Sequence, residues 1–246
     1  MLLRTMDPKA RFTDCADAYA AHRPAYGDEV AAFVLAGLGD APRVADLGAG
    51  TGISSRLLAR HGAHVLAVEP NRAMRELAAA DPGVTFVDGT AERTTLADGS
   101  VDAVTAFQAF HWFATPEALA EIRRIVRTGG AAALVVNERD PSDPFTSAYG
   151  AIVQRYATDD TERRRLESLH VFRALPGTVE MRTFTAEQRL DRDGLLGRTR
   201  STSYLPHGGA AGENLEHEVA ALFDRDACLG RVRLALVTWV VKVRLA

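Results

Sequence analysis

The stretch VADLGAGTG, residues 44–52, decides the fold of this chain. Its first four residues are mostly apolar and predict a short buried strand. Glycines follow at alternate positions, 48, 50 and 52, and a helical pattern begins at Ile53. A strand, a glycine turn and a helix start in direct succession are typical of a ligand-binding βα unit, because glycine lets the backbone approach a ligand and the helix start presents free N–H groups.

Outward from this turn, residues 43–137 alternate β-branched runs with helical patterns, which predicts βαβ units and a mainly parallel sheet. Strands are predicted at 44–47, 64–68, 84–87, 101–107 and 131–136. Helices are predicted at 53–60, from a cap at Asn71 to Asp81-Pro82-Gly83, and from Thr115 to Gly129-Gly130, with Pro116 in the first turn.

The second half of the chain changes character at Asp140. Residues 140–169 are helical and arginine-rich, and we expect them to form an inserted cap over the sheet edge. Strands at 178–190 and 231–245, joined by helical segments around 191–200 and 213–226, should close the sheet as a hairpin-like pair. We predict a single domain over 1–246, with N-terminal helices in 12–38, a cofactor-binding core in 42–139, a cap and substrate region in 140–215, and a C-terminal helix and strand in 216–246.

Composition argues against several classes of protein. The formal net charge is −3, so the chain lacks the strongly basic surface typical of nucleic-acid binders. No apolar run approaches the ~20 residues of a membrane span, and the N-terminus does not resemble an export signal. Cys15 and Cys228 stand alone, without the spacing of a metal site. We expect a cytoplasmic monomer or homodimer that binds no metal, nucleic acid or membrane.

The next predicted strand ends in Val68-Glu69-Pro70, 17 positions after Gly52. A carboxylate at that sheet edge can accept hydrogen bonds from both hydroxyls of a ribose, which indicates a nucleoside ligand. A dinucleotide fingerprint would need glycine at position 53, where this chain has Ile53. Two alternatives remain open: a glycine turn that binds nothing, and an acid that only favours a helix start.

These motifs resemble the class I S-adenosylmethionine-dependent methyltransferases, whose first motif matches residues 46–52. The resemblance covers about residues 12–245 and is nearest to the small-molecule branch, the trans-aconitate methyltransferase-like proteins of methyltransferase type 11. It rests on YAAHRPAY (19–26), DGTAE (88–92), QAFHWF (108–113) and NERD (137–140). The chain departs from the pattern at Gly27 and Thr128, where proline is usual.

The resemblance implies a Rossmann-like α/β fold. Its sheet would be seven-stranded and mostly parallel, with helices on both faces, an antiparallel last strand and a helical cap insertion. The implied cofactor is S-adenosylmethionine, and S-adenosylhomocysteine would be the product.

The resemblance also implies a set of cofactor contacts. The methionine moiety would lie against Gly48, Ala49 and Gly50, the ribose against Glu69, the adenine edge against Thr90, Ala91 and Glu92, and the adenine face against Pro70 and Met74. Further cofactor candidates are Tyr19, Arg23, Asp46, Gly52 and Gln108. Arg23 is either a surface cation or a bidentate partner of the methionine carboxylate, and Tyr19, one helical turn away, either shares that carboxylate or only packs.

Acceptor candidates come from the active edge of the sheet and from the cap. His111 and Trp112 directly follow the fourth strand, and His111 is either a general base or a structural histidine. Tyr149, Ser203 and Tyr204 are expected in the acceptor pocket. The run Arg163-Arg164-Arg165 could gate an acidic substrate, but the neighbouring Glu162 and Glu167 favour a solvated helix face.

The expected function is methyl transfer from S-adenosylmethionine to a small-molecule acceptor by in-line displacement, a reaction that depends mainly on alignment of the reactants. The sequence identifies neither the acceptor nor the attacked atom, which could be O, N or C. Three alternatives remain: another use of the sulfonium such as aminopropyl transfer, a nicotinamide-dependent oxidoreductase, and a non-catalytic protein that keeps the fold.

Overall fold

A computed structural model describes residues 26–246 and shows a seven-stranded sheet in the order β3-β2-β1-β4-β5-β7-β6. The strands are β1 Arg43–Leu47, β2 His64–Val68, β3 Val84–Val87, β4 Val101–Phe107, β5 Val126–Arg139, β6 Gly177–Leu190 and β7 Val232–Leu245. β7 runs antiparallel to both of its neighbours, and β1 to β5 are parallel. The predicted mostly parallel sheet with an antiparallel last strand is confirmed.

Helices cover both faces of this sheet. They are α1 Asp28–Leu35, α2 Ile53–Arg60, α3 Arg72–Glu76, α4 Pro116–Ile125, α5 Pro144–Tyr156, α6 Thr161–Phe172, α7 Arg192–Arg200 and α8 Gly209–Asp226, with a 3₁₀ turn at Phe110–Trp112. On one face α1 and α2 bury Val34, Leu57 and Leu58 against the sheet. On the other face α4 and α6 bury Ile122 and Phe172.

The strand predictions at 64–68, 84–87 and 101–107 match β2, β3 and β4. The prediction for β5 was too short, because the strand already begins at Val126 and runs to Arg139. Val126 pairs with Val101 before the register shifts to Ala131 opposite Ala103. The predicted helix stop at Gly129-Gly130 was therefore wrong: α4 ends at Ile125, and the two glycines carry the strand through this irregularity.

The helix after Asn71 is also shorter than predicted. The Asn71 side chain accepts hydrogen bonds from the backbone N–H groups of Ala73 and Met74, as expected of a cap, but α3 ends at Glu76 rather than near Asp81. The Arg75 guanidinium turns back to the Glu69 carbonyl oxygen at 2.6 Å. This contact ties α3 to the end of β2 next to the nucleoside position predicted from Glu69.

The helices predicted for the inserted cap at 140–169 are α5 and α6, which follow β5; α7 and α8, which follow β6, pack beside them, and we call these four helices the cap. α8 begins at Gly209, earlier than the predicted 213. Apolar side chains of α5, α7 and α8 form a separate core against the ends of β6 and β7; among its fully buried members are Leu195, Val219 and Leu234. The cap thus lies over the carboxyl end of β5, beside the predicted ligand edge.

Candidate active site

A cavity of about 440 Å³ opens at the carboxyl ends of the parallel strands, at the sheet edge where the sequence predicts ligand binding. A cavity of this volume is in the range that small-molecule sites occupy. One half is formed by the turns after β1 to β4. The other half is formed by the end of β5, the cap helices and the segment after α7.

The first half collects most of the predicted cofactor residues. They are Gly48, Gly50, Glu69, Pro70, Met74, Thr90, Ala91, Glu92 and Gln108. Glu69 is nearly buried, and its two carboxylate oxygens accept the backbone N–H groups of Gly50 at 2.9 Å and Asn71 at 2.8 Å. Burial raises the pKa of the Glu69 carboxyl, and these two hydrogen bonds oppose the rise. Each oxygen keeps a lone pair that can accept a ligand hydroxyl.

The glycine turn leaves open space beside Gly50. This residue has φ of +57°, in the left-handed region, and a Cβ built on it would meet no atom within 4 Å. At Gly52, also left-handed, a built Cβ would lie 3.0 Å from the Phe86 ring. Gly50 therefore borders the ligand space, whereas Gly52 is required by packing at the start of α2 and does not line the cavity.

Asp46 is not brought into either cavity. The side chain is fully buried and accepts hydrogen bonds from Ser54 and Ser55 at 2.7 Å and from Thr105 at 2.8 Å. The structure thus gives it partners in α2 and β4 rather than a position against a ligand. Ala49 lines a second, smaller cavity. Tyr19 and Arg23 lie outside the described residues.

The large cavity also brings together all five predicted acceptor residues: His111 and Trp112 from the turn after β4, Tyr149 from α5, and Ser203 and Tyr204 from the segment after α7. His111 is 8% exposed, and its ring centroid lies 4.8 Å from that of Trp112. The Tyr149 hydroxyl lies 3.1 Å from the Thr199 hydroxyl, which places α5 against α7.

Three arginines that the sequence reasoning did not assign to the site, Arg139, Arg165 and Arg198, also line this cavity. Arg163 forms ion pairs on the exposed face of α6, as expected of a solvated run, whereas Arg164 pairs with Asp160 but is half-buried and lies 5.3 Å from the centroid of the Trp112 ring. Arg165 is different, because it points inward and is buried. The interpretation of the whole run as a solvated face was therefore wrong for Arg165.

Two of these arginines donate hydrogen bonds to carboxylates that lie outside the cavity. Arg165 donates to Glu138 through Nε and Nη2, the latter at 2.9 Å. Arg139 Nη2 donates to Glu162 at 2.5 Å, and the Tyr204 hydroxyl donates to the same oxygen at 2.6 Å. Neither Glu138 nor Glu162 lines the cavity. Among residues 26–246, the carboxylates that line it are those of Glu69 and Glu92. The cavity is thus acidic at its cofactor half and basic at its cap half.

Comparison with known proteins agrees with this architecture. A family model described as a methyltransferase domain matches residues 45–134. Residues 45–134 are a class I methyltransferase domain. An uncharacterized methyltransferase of Mycobacterium tuberculosis is 39% identical over 150 residues, 61% of each chain. An uncharacterized methyltransferase-like protein of Schizosaccharomyces pombe is 35% identical over 158 residues, 63% of this chain and 61% of the other. The alignments therefore span about three fifths of these curated relatives.

Among solved structures, a putative type II methyltransferase from Anaeromyxobacter dehalogenans superposes with a TM-score of 0.71 and 26% identity, covering 91% of this chain and 98% of the other. The agreement extends over the methyltransferase domain and the cap. The predicted class I fold, with its Rossmann-like sheet, is confirmed by this match and by the strand order.

S-adenosylmethionine is the cofactor of this domain family, and the large cavity fits it on three observations. The space beside Gly50 is open to a ligand. Glu69 lines the cavity with a lone pair left on each carboxylate oxygen, and Met74, which is buried, lines the same cavity as Thr90 to Glu92. Within residues 26–246, no group of three His, Cys, Asp or Glu side chains is arranged to hold a metal ion, and no helix is both long and apolar enough to span a bilayer.

Proposed function

We propose that this methyltransferase transfers a methyl group from S-adenosylmethionine to a small anionic acceptor in the cytoplasm. The observation that carries the proposal is the continuity of one cavity, which the glycine turn and Glu69 line together with the guanidinium groups of Arg139, Arg165 and Arg198. A carboxylate or phosphate on the acceptor complements such guanidinium groups. The chain's net charge of −3 argues against a nucleic-acid acceptor, since that substrate favours a strongly basic surface.

S-adenosylmethionine supplies a sulfonium methyl group, whose C–S bond breaks as the bond to the acceptor forms, so that the electron pair stays on sulfur. The residues of this chain contribute position and exclusion of water. Arg139 and Arg165 are held by Glu162 and Glu138, and both line the chamber. In this proposal His111 contacts the acceptor and takes its proton when the attacked atom carries one.

Size supports a small acceptor. The cavity of about 440 Å³ must hold both the cofactor and the reacting part of the acceptor. The cap helps to enclose the site, because Tyr149, Ser203 and Tyr204 line the same cavity as the turn after β4. A macromolecule could present only a narrow extension to such a chamber, whereas a free metabolite fits within it.

The test is a product-mass assay with S-adenosylmethionine and a metabolite extract divided into anionic and neutral fractions. We expect a product in the anionic fraction that is heavier by one methylene, formed together with an equal amount of S-adenosylhomocysteine. A product carrying an aminopropyl group, or saturable nicotinamide binding with no methylated product, would replace this proposal with one of its rivals. Methylated products confined to the neutral fraction would contradict the anionic acceptor alone.

A further inference from the structure

Glu162 joins two residues that line the large cavity, although it does not line the cavity itself. It stands in the first turn of α6, and one of its carboxylate oxygens accepts hydrogen bonds from Arg139 Nη2 at 2.5 Å and from the Tyr204 hydroxyl at 2.6 Å. Arg139 is the last residue of β5, and Tyr204 belongs to the segment after α7. A single carboxylate oxygen thus links three separate parts of the chain at the wall of the site.

Further contacts anchor both partners of Glu162. The Tyr204 carbonyl oxygen accepts hydrogen bonds from the backbone N–H and from the hydroxyl of Thr158, both at 2.9 Å. The Arg139 side chain lies close to α5, since a Cβ built on Gly150 would be 3.2 Å from Arg139 Nε. The backbone of Tyr204 and the stem of Arg139 are therefore held independently, and the Glu162 carboxylate sets where their polar ends lie.

Glu162 is ionised at neutral pH. Burial opposes its ionisation, but the Arg139 guanidinium and the two hydrogen bonds outweigh burial, so the pKa of the Glu162 carboxyl lies below its ordinary value of 4.5. Burial and the Glu162 charge raise the pKa of Tyr204, so that its hydroxyl keeps the proton that it donates. Both contacts of Glu162 are therefore charge-assisted hydrogen bonds, which are stronger than those between neutral groups.

Arg139 differs from Arg165 in how its carboxylate partner holds it. Glu138 accepts hydrogen bonds from two nitrogens of Arg165, Nε and Nη2, and uses both of its oxygens. Glu162 accepts from one nitrogen of Arg139 and shares the same oxygen with Tyr204. The Arg139 side chain is 20% exposed and that of Arg165 is 10% exposed. Of these two arginines, Arg139 is thus the more accessible to a ligand.

We propose that Arg139 binds the anionic group of the methyl acceptor and that Glu162 is its positioning residue, an inference that rests on the proposed function. Glu162 does not touch the methyl acceptor. It holds the Arg139 guanidinium beside the Tyr204 hydroxyl, so that a carboxylate or phosphate meets a guanidinium already in place. Because the arginine side chain is ordered beforehand, it loses little conformational entropy on binding, which strengthens affinity for the methyl acceptor. Glu162 therefore affects acceptor binding without a part in the cofactor contacts or in methyl transfer.

The experiment measures initial rates of S-adenosylhomocysteine formation over a dilution series of the anionic metabolite fraction, which gives kcat and an apparent KM. For Glu162→Gln we expect the apparent KM to rise roughly 3- to 10-fold, because a neutral amide holds Arg139 less firmly, while kcat and calorimetric affinity for S-adenosylhomocysteine stay within about twofold. The matched control is Glu167→Gln on the same helix, which loses an exposed ion pair with Arg163 and should leave all three quantities unchanged. Losses of kcat and cofactor affinity as large as the rise in KM would show a structural role and overturn the proposal.

A double-mutant cycle tests whether Glu162 acts through Arg139. Arg139→Met should raise the apparent KM roughly 10- to 100-fold, since the charge-assisted contact with the anion is lost. In that background Glu162→Gln should raise KM no further, because no guanidinium is left to position. Independent effects of the two substitutions, or an unchanged apparent KM in either single variant, would overturn the proposal.

Tyr204→Phe is a variant that keeps every charge and does not depend on the folding of Glu162→Gln. It removes one donor from the Glu162 oxygen that also binds Arg139, so the apparent KM should rise roughly 2- to 5-fold with kcat within about twofold. An unchanged apparent KM would contradict the proposed unit of Glu162, Arg139 and Tyr204. Absence of any methylated product with the unmodified protein would instead overturn the proposed function.

Discussion

Asp46 shows how a residue of a ligand-binding motif can act through structure alone. Its carboxylate is fully buried and joins β1 to the first turn of α2 through Ser54 and Ser55, and to β4 through Thr105. Burial raises the pKa of the Asp46 carboxyl, and the three hydroxyl hydrogen bonds oppose the rise. The strand and the helix that flank the glycine turn are therefore held together by one side chain.

Replacement of Asp46 by Ala leaves three buried hydroxyl groups without their acceptor. We expect Asp46→Ala to lower the free energy of unfolding by about 2 to 4 kcal/mol, and Asp46→Asn to lower it by less than half of that, since an amide oxygen still accepts. Urea denaturation measures both values. A loss of affinity for S-adenosylhomocysteine in Asp46→Asn, with stability unchanged, would instead return Asp46 to direct cofactor contact.

Glu69 combines a turn-stabilising role with the proposed ribose contact. Glu69→Ala should weaken S-adenosylhomocysteine binding by about 1.5 to 3 kcal/mol, through lost charge-assisted hydrogen bonds. The complex needs the carboxylate form, and burial raises the pKa of this carboxyl above the ordinary 4.5. Affinity should thus be constant above the raised pKa and fall as pH drops through it. Glu69→Gln, which cannot ionise, should show no such pH dependence when its affinity is measured by calorimetry at several pH values. If the dependence persists in Glu69→Gln, it belongs to another group.

His111 is the residue that we propose to contact the acceptor. His111→Ala should reduce turnover by roughly 10² to 10⁴ if the imidazole is a general base, with little change in cofactor affinity and with loss of the acidic limb of the rate profile. Rescue by Asn or Gln would indicate positioning of the acceptor. A joint loss of melting temperature and cofactor affinity would show a structural role, since His111 packs on Trp112.

At the scale of elements, the spacing of apolar residues and the positions of turn residues predicted most of the strands of the sheet. β2, β3, β4 and α2 have the predicted bounds because each is a short run that turn residues delimit. The boundary between α4 and β5 could not be predicted, because Val126 pairs with Val101, a contact that local sequence does not contain. Most of the candidate cofactor residues line the large cavity, since they directly follow strand ends.

The arginines of the chamber were harder to predict, because charge runs are usually solvated. A signal for Arg165 does exist in the spacing of α6. Its buried residues are Thr161, Arg165, Ser168 and Phe172, which recur at helical intervals and share one face. Arg139 and Asn137 reach the site because β5 continues beyond its last pairing with β4, at Val135. The sequence did not indicate a strand of this length.

The Arg165–Glu138 ion pair links α6 to β5, and its contribution to stability can be measured. Either Arg165→Met or Glu138→Gln alone should lower the free energy of unfolding by about 3 to 5 kcal/mol, because each leaves an uncompensated buried partner. The double variant should be less destabilised than the sum of the two, and Arg163→Met on the exposed side of α6 should change stability by less than about 0.5 kcal/mol. Additive losses in the double-mutant cycle would contradict coupling.

At the scale of the whole molecule, the two halves of the cavity come from different parts of the chain. The turns after β1 to β4 supply the candidate cofactor residues together with His111 and Trp112, and the cap supplies the other candidate acceptor residues. Exchange of cap segments should therefore change acceptor choice without changing cofactor affinity. The exception is Arg198, which belongs to the cap but lines the small cavity beside the glycine turn.

A chimera tests this division. Exchange of residues 140–169 and 201–204 for the corresponding segments of the Anaeromyxobacter dehalogenans protein, with α7 retained, should change which acceptors are methylated and leave affinity for S-adenosylhomocysteine within about threefold, a factor worth less than 1 kcal/mol. Unchanged acceptor choice together with weakened cofactor binding in the chimera would contradict the division, because the cap would then serve the cofactor and the strand ends would select the acceptor.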